Sequence, residues 1–336
     1  MRSLVFHEFG EPAEVLHLED SPEPTAKAGE VVVRMLATPV NPSDLMTVRG
    51  IYGKLPTLPA TPGFEGVGIV ESGNGAYAKF LQGKRVAVLN GTTGNWRDKT
   101  LISAKQAVPL AKDLSVEQAA MFFINPATAY IMMRQVLAIP AGEWLLQSAA
   151  ASALGRMVIR LGQLFGFKTI SVVRREEQAD ELRQLGTNAA IVFDPEKDAA
   201  DKLHEMVKTL TNDQGVRFAI DPVGGATASA MVDCLASEAR MLLFGTLCDQ
   251  PIAFSPRSIM TAGASIEGFW LSRWMQQQKL FGKIRLMKQI AKLIQQGTLA
   301  SEVAESYPLE QYAEAVLASE KPGRSGKVLL RISDAC

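Results

Sequence analysis

The stretch from Trp144 to Glu177 constrains this chain more than any other. Trp144-Leu145-Leu146-Gln147 is a short apolar strand that runs into Ser148-Ala149-Ala150-Ala151-Ser152-Ala153-Leu154-Gly155, a run of small residues. Met157, Ile159, Leu161 and Leu164 then supply apolar positions for a helix ending near Gly166, and Thr169-Ile170-Ser171-Val172-Val173 is a second strand. Strand, tight turn, helix and strand make a βαβ opening, and strands joined by helical crossovers lie parallel in a sheet covered on both faces.

Small side chains at such a turn let the backbone approach a phosphate, and the helix that follows offers free N–H groups and a partial positive charge. The glycine fingerprint of a dinucleotide turn is degenerate here, with alanine and serine at most of its positions and Gly155 retained. About 20 residues on, where an acidic side chain normally accepts the ribose 2′-OH of NAD, stands Arg174-Arg175. Two guanidiniums there favour a 2′-phosphate, hence NADPH over NADH. The competing reading is a solvated basic pair at a helix start, neutralised by Glu176 and Glu177.

The alternation continues beyond this unit. Helices are expected near 178–185, 199–209 and 226–235, and strands over 189–193, 216–220, 240–244 and 265–271. About six strands alternating with helices predict a doubly wound parallel sheet.

Residues 1 to about 124 read differently. Val31-Val32-Val33-Arg34-Met35-Leu36, Gly66-Val67-Gly68-Ile69-Val70 and Arg85-Val86-Ala87-Val88-Leu89 are β candidates, and Pro39, Pro42, Pro56, Pro59 and Pro62 break the segments between them. A β-rich barrel or sandwich is expected, carrying glycine loops at Arg49-Gly50-Ile51-Tyr52-Gly53 and Asn90-Gly91-Thr92-Thr93-Gly94-Asn95-Trp96. Ser115-Val116-Glu117-Gln118 reads as a capping box, and Pro126 as an interruption before a helix over 127–137. Phe281 to Gln296 is amphipathic. The tail has too little apolar material to fold alone and is expected to return to the first domain. The expected domains are therefore 1–124 with 273–336, and 125–272.

Lys+Arg and Asp+Glu stand at 35 each, so no global field attracts nucleic acid or an anionic membrane. No apolar run reaches the roughly 18 residues needed to span a bilayer. Cys234, Cys248 and Cys336 lack the spacing of a disulfide framework or a metal site. With no targeting segment visible, these features predict a cytoplasmic protein.

The order of a β-rich domain, an inserted nucleotide domain and a short return resembles the medium-chain dehydrogenase/reductase superfamily over essentially the whole chain. Asn41-Pro42-Ser43-Asp44, Gly50-Ile51-Tyr52-Gly53, Asn125-Pro126-Ala127-Thr128-Ala129-Tyr130 and Gly268-Phe269-Trp270-Leu271-Ser272 look like the mitochondrial-type trans-2-enoyl-thioester reductases. Related quinone reductases do not usually carry Phe-Trp-Leu-Ser at that place. The resemblance implies a GroES-like catalytic domain beside a Rossmann domain, and NADPH-dependent reduction of an enoyl-CoA or enoyl-ACP.

The superfamily also contains zinc alcohol dehydrogenases. This chain has Asn41 where a ligand cysteine would be expected, and Phe64-Glu65 where a His-Glu pair would be. Its histidines, His7, His17 and His204, are scattered, so a zinc-independent enzyme is expected. Without a metal, the reduction rests on position and electrostatics: hydride to the β-carbon, a proton to the α-carbon, and hydrogen bonds to the enolate oxygen. Tyr52 matches the family's catalytic tyrosine, as enolate hydrogen-bond donor or proton source.

By the same carry-over, Asn125 and Thr128 would face the nicotinamide, and Ala151, Ser152, Ala153 and Leu154 would line the pyrophosphate turn. Arg174 and Arg175 would hold the 2′-phosphate. Phe244, Gly245, Thr246 and Leu247, then Phe269, Trp270, Leu271 and Ser272, would follow two later strands, and Lys327 would reach the cofactor from the returning segment. The family's Asn-Ser-Gly-Val turn is here Ala151-Ser152-Ala153-Leu154, Arg175-Glu176 replaces an Asp-Arg, and Phe64 replaces a polar residue. A quinone or general enone reductase is the alternative enzyme, and a dinucleotide-binding sensor the alternative without catalysis. A homodimer formed through the outer sheet edge near Met241 and Ile266 is also expected.

Overall fold

Strand Glu30–Pro39 is the centre of the first of two units into which the computed structural model divides the chain. Residues 1–91, 93–111, 113–199 and 201–334 are described; Thr92 and Cys336 lie outside them. Three neighbours pair antiparallel with that strand, namely Glu65–Gly73, Lys99–Ser103 and Lys327–Arg331. Its β-branched Val31 and Val33, with Met35, alternate onto one face, as the pleat requires, and join Leu4, Phe6, Val86, Val88 and Trp96 in one core. The returning strand Lys327–Arg331 contributes Val328 and Leu330 to that core. Its register, Leu329 opposite Pro39 and Arg331 opposite Ala37, makes the tail part of the first sheet.

The second unit holds six parallel strands in the order Ala189–Val192, Lys168–Val173, Trp144–Gln147, Val216–Asp221, Leu235–Leu243 and Ser265–Gly268. The chain starts in the middle and winds outward both ways, so the order reverses beside Trp144–Gln147. That is the doubly wound arrangement, and ligands bind at its carboxyl ends.

Three local expectations change. Helix Ile124–Ile131 runs through Pro126, because proline in a first turn lacks only an N–H that would have no intrahelical acceptor. Ser115 does cap Val116–Ala120 by accepting from the Gln118 amide, but the Gln118 side chain binds both backbone groups of Ser301 instead of closing a box. The last strand ends at Gly268 and not at Leu271, since its neighbour ends at the paired Leu243; Leu271–Gln277 is helical.

The units are Met1–Ile124 with Ser301–Cys336, and Asn125–Ala300. Residues 273–300 thus belong with the nucleotide sheet, against the boundary drawn from sequence. Helix Leu280–Gln295 buries Leu286, Ile290, Leu293 and Ile294, and Arg160 of helix Ala153–Phe165 donates to the Ala300 carbonyl at 2.9 Å.

Candidate active site

In the first unit, the chemistry-bearing residues gather around helix Pro42–Val48. Pro42 opens it and Asn41 precedes it as N-cap. Asp44, with no exposed surface, accepts from the Asn41 amide at 2.8 Å and from the Phe64 amide at 2.9 Å. At the other end Gly50 takes a left-handed φ of 75°, and a Cβ there would stand 2.9 Å from the Phe9 ring. Only glycine turns the chain there without strain. Arg49, paired with Glu11 and Glu320, anchors the same helix end. The next residues carry Tyr52, half-buried, with its ring centroid 5.2 Å from that of Phe64.

Burial, and then the carboxylate of Asp44, push the Tyr52 phenol up to about 12. The hydroxyl is therefore protonated at neutral pH and suited to donate rather than to abstract. Asp44 is itself pushed up to about 7, mainly by burial.

Beside it lies a buried polar chain. Lys327 Nζ donates to Asn41 Oδ1, Asn41 Nδ2 donates to Glu65 Oε1 at 3.1 Å, and Glu65 Oε2 accepts from the amides of Phe123 and Ile124 at 3.1 and 2.9 Å. All three side chains are less than a tenth exposed. Burial raises Glu65 above the usual carboxylate range and lowers Lys327 to about 8, with each charge opposing the other's shift. This donor set does not fit zinc: an amide stands where a thiolate would be needed, and an ammonium binds its oxygen. No group of three or more His, Cys, Asp or Glu side chains suited to a metal occurs among the described residues.

In the second unit, parallel register brings the remaining sequence-selected residues to one edge. Ala151 and Ser152 follow Trp144–Gln147, Arg174 and Arg175 follow Lys168–Val173, Phe244 to Leu247 follow Leu235–Leu243, and Phe269 to Ser272 follow Ser265–Gly268. Asn125 and Thr128 lie instead on helix Ile124–Ile131, with Thr128 buried.

The turn residues fit a pyrophosphate. Ser152 caps helix Ala153–Phe165 by accepting from the Gly155 amide at 3.1 Å, which leaves the Ala153 and Leu154 amides without an intrahelical acceptor. A Cβ on Gly155 would stand 2.4 Å from the Ala150 carbonyl oxygen, so this position requires glycine. Ala149 adopts φ of 46°, a left-handed conformation that glycine would take at lower cost. Arg174 and Arg175 make no ion pair among the described residues, and Glu176 pairs with Arg183 rather than with either. Arg174 acts electrostatically on Asp194, whose ion-pair partner is Lys197.

Sequence reasoning missed Asp221 in this unit. It is fully buried, accepts from Ser148 Oγ and from the Gly224 amide at 2.7 Å, and so ties together the turns after two central strands. Its only signal was an acidic residue ending an apolar strand. Phe269 is buried, whereas Trp270 is 43% exposed and not a core residue; Trp96 is wholly core.

Two family models match this chain, the alcohol dehydrogenase GroES-like domain over residues 27–112 and the zinc-binding dehydrogenase over residues 153–289. The mitochondrial enoyl-[acyl-carrier-protein] reductase of Mus musculus is 32% identical over 335 residues, 98% of this chain and 88% of that protein. A Bacillus thuringiensis protein assigned as an NADPH:quinone reductase superposes with a TM-score of 0.91 at 32% identity, over 99% of both chains. Escherichia coli quinone oxidoreductase, solved with NADPH, gives 0.88 at 25% identity, over 98% of this chain and 100% of its own. By this full-length likeness, with a GroES-like unit and a doubly wound nucleotide unit, the chain belongs to the medium-chain dehydrogenase/reductase superfamily and has the mitochondrial enoyl-[acyl-carrier-protein] reductases among its relatives.

Proposed function

We propose that this protein is an oxidoreductase that uses NADPH to reduce the C=C bond of trans-2-enoyl thioesters. The observation that carries the reading is Tyr52, a half-buried phenol packed against Phe64 in the first unit of a chain whose second unit has a helix-capping turn suited to a pyrophosphate and a strand end bearing Arg174 and Arg175. NADPH, when bound, supplies the hydride that adds to the β-carbon. Ala153 and Leu154 would offer backbone amides to the pyrophosphate, and Arg174 and Arg175 would bind the 2′-phosphate and so select against NADH. Asn125, Thr128, Phe244 to Leu247, Phe269 to Ser272 and Lys327 complete the proposed cofactor set. Tyr52 would donate to the enolate oxygen, or deliver the proton to the α-carbon, as charge develops there.

The test is NADPH oxidation by the wild type and Tyr52→Phe with trans-2-enoyl-CoA, a free enone and a quinone in parallel. Thioester-selective turnover, lost by about a hundredfold or more in Tyr52→Phe with NADPH affinity kept, is the expected result. Turnover of quinone alone would move the protein to the quinone reductase reading, which the two structural neighbours named above favour. Tight NADPH binding without any turnover would leave a sensor.

We further infer a homodimer through the free edge of strand Ser265–Gly268, supported by its terminal place in the parallel sheet. Sedimentation showing only monomer at micromolar concentration would defeat this. For compartment we favour the cytoplasm, supported by the unpaired Cys234 and Cys248. The mouse relative is named as mitochondrial, so cell fractionation is the deciding measurement. No described helix is long and apolar enough to cross a membrane.

A further inference from the structure

Tyr52 and Phe64 are twelve positions apart in the chain, yet one carboxylate governs the backbone beside both. Asp44 Oδ2 accepts from the Asn41 amide and thereby fixes the start of helix Pro42–Val48, whose far end leads through Gly50 to Tyr52. Asp44 Oδ1 accepts from the Phe64 amide and fixes the backbone of the residue whose ring lies against the Tyr52 ring, tilted 39° to it. A carboxylate with both oxygens engaged and no solvent exposure is a rigid strut. Its two loads are the helix that leads to the phenol and the aromatic wall that the phenol packs on. Aromatic pairs at this separation hold preferred orientations, so moving either ring moves the other.

We propose that Asp44 and Phe64 are positioning residues for Tyr52: Asp44 braces helix and wall, and the Phe64 ring sets the direction in which the phenol hydroxyl points. The proposal rests on the reading of Tyr52 as the donor.

The experiment is a double-mutant cycle with NADPH and a short trans-2-enoyl-CoA, using Phe64→Leu, Phe64→Tyr, Asp44→Asn, Tyr52→Phe and the pairings of the first with the last. Phe64→Leu is expected to lower kcat roughly ten- to a hundredfold, the scale of a small misplacement of a catalytic group, with NADPH affinity and melting temperature little changed. Phe64→Tyr, which keeps a ring on Tyr52, restores kcat. In the Tyr52→Phe background, Phe64→Leu brings no further loss, because the hydroxyl it would misdirect is gone. Asp44→Asn, which cannot accept both amides, should reproduce the kcat loss where it folds, and the Phe64 variants decide the matter where it does not. Equal losses from Phe64→Leu in both backgrounds, or full turnover in Phe64→Leu, would overturn the proposal while leaving Tyr52 as donor. Full turnover in Tyr52→Phe would overturn the donor reading and the brace with it.

Discussion

Asn41 Nδ2 donates to Glu65 Oε1 at 3.1 Å, and this bond joins the helix Pro42–Val48 to the central sheet of the first unit through its N-cap. With Lys327 on the other side of the same amide, the chain from ammonium to carboxylate is continuous and almost free of solvent.

Removing one end leaves the other charge buried without its counterion. Lys327→Met should therefore cost about 3–5 kcal/mol of unfolding free energy, and adding Glu65→Gln should recover part of that loss. Urea unfolding of the two single variants and the double variant measures the coupling. Strictly additive losses would show that the two ends do not communicate through Asn41.

Asp44 makes stability depend on pH in an unusual direction. A carboxyl raised from 3.8 to about 7 binds its proton more tightly in the folded state, so its stabilisation is full below the lower value and lost as pH rises through the upper one. The wild type should lose unfolding free energy relative to Asp44→Asn between about pH 4 and 7. Parallel unfolding curves across that range, with a constant difference between the two proteins, would contradict the assignment.

The basic pair after strand Lys168–Val173 should set cofactor choice. Replacing Arg174 and Arg175 by serine is expected to weaken NADPH binding about tenfold or more per guanidinium, while NADH affinity stays level. Calorimetric titration with the two cofactors checks this. Equal losses for both would mean that the arginines contact the shared part of the dinucleotide or only hold the fold.

The parallel sheet was legible because period and punctuation agree: apolar strands end in small residues or charges, and each is followed by a helical stripe. Tyr52 stood out through its glycine loop and its family resemblance, and Gly155 through its place in the turn. The end of the last strand was misplaced by three residues, Leu271 against Gly268, because a ladder stops where its neighbour stops, and Leu243 is far off in sequence. Residues 273–300 were misassigned for the same reason: an amphipathic helix announces that it packs, but not on which core.

By itself, the sequence determined the βαβ framework, the small-residue turn with Gly155 in it, and the cationic strand end at Arg174-Arg175. These are local consequences of side-chain size, charge and periodicity. The tertiary structure alone decided that Asn41, Glu65 and Lys327 form one buried chain, that Asp44 spans from Asn41 to Phe64, and that Asp221 ties Ser148 to Gly224. Each of these joins residues from different strands and helices, and a buried polar group takes whichever partner the fold brings within reach, because leaving it unpaired costs more than any local preference.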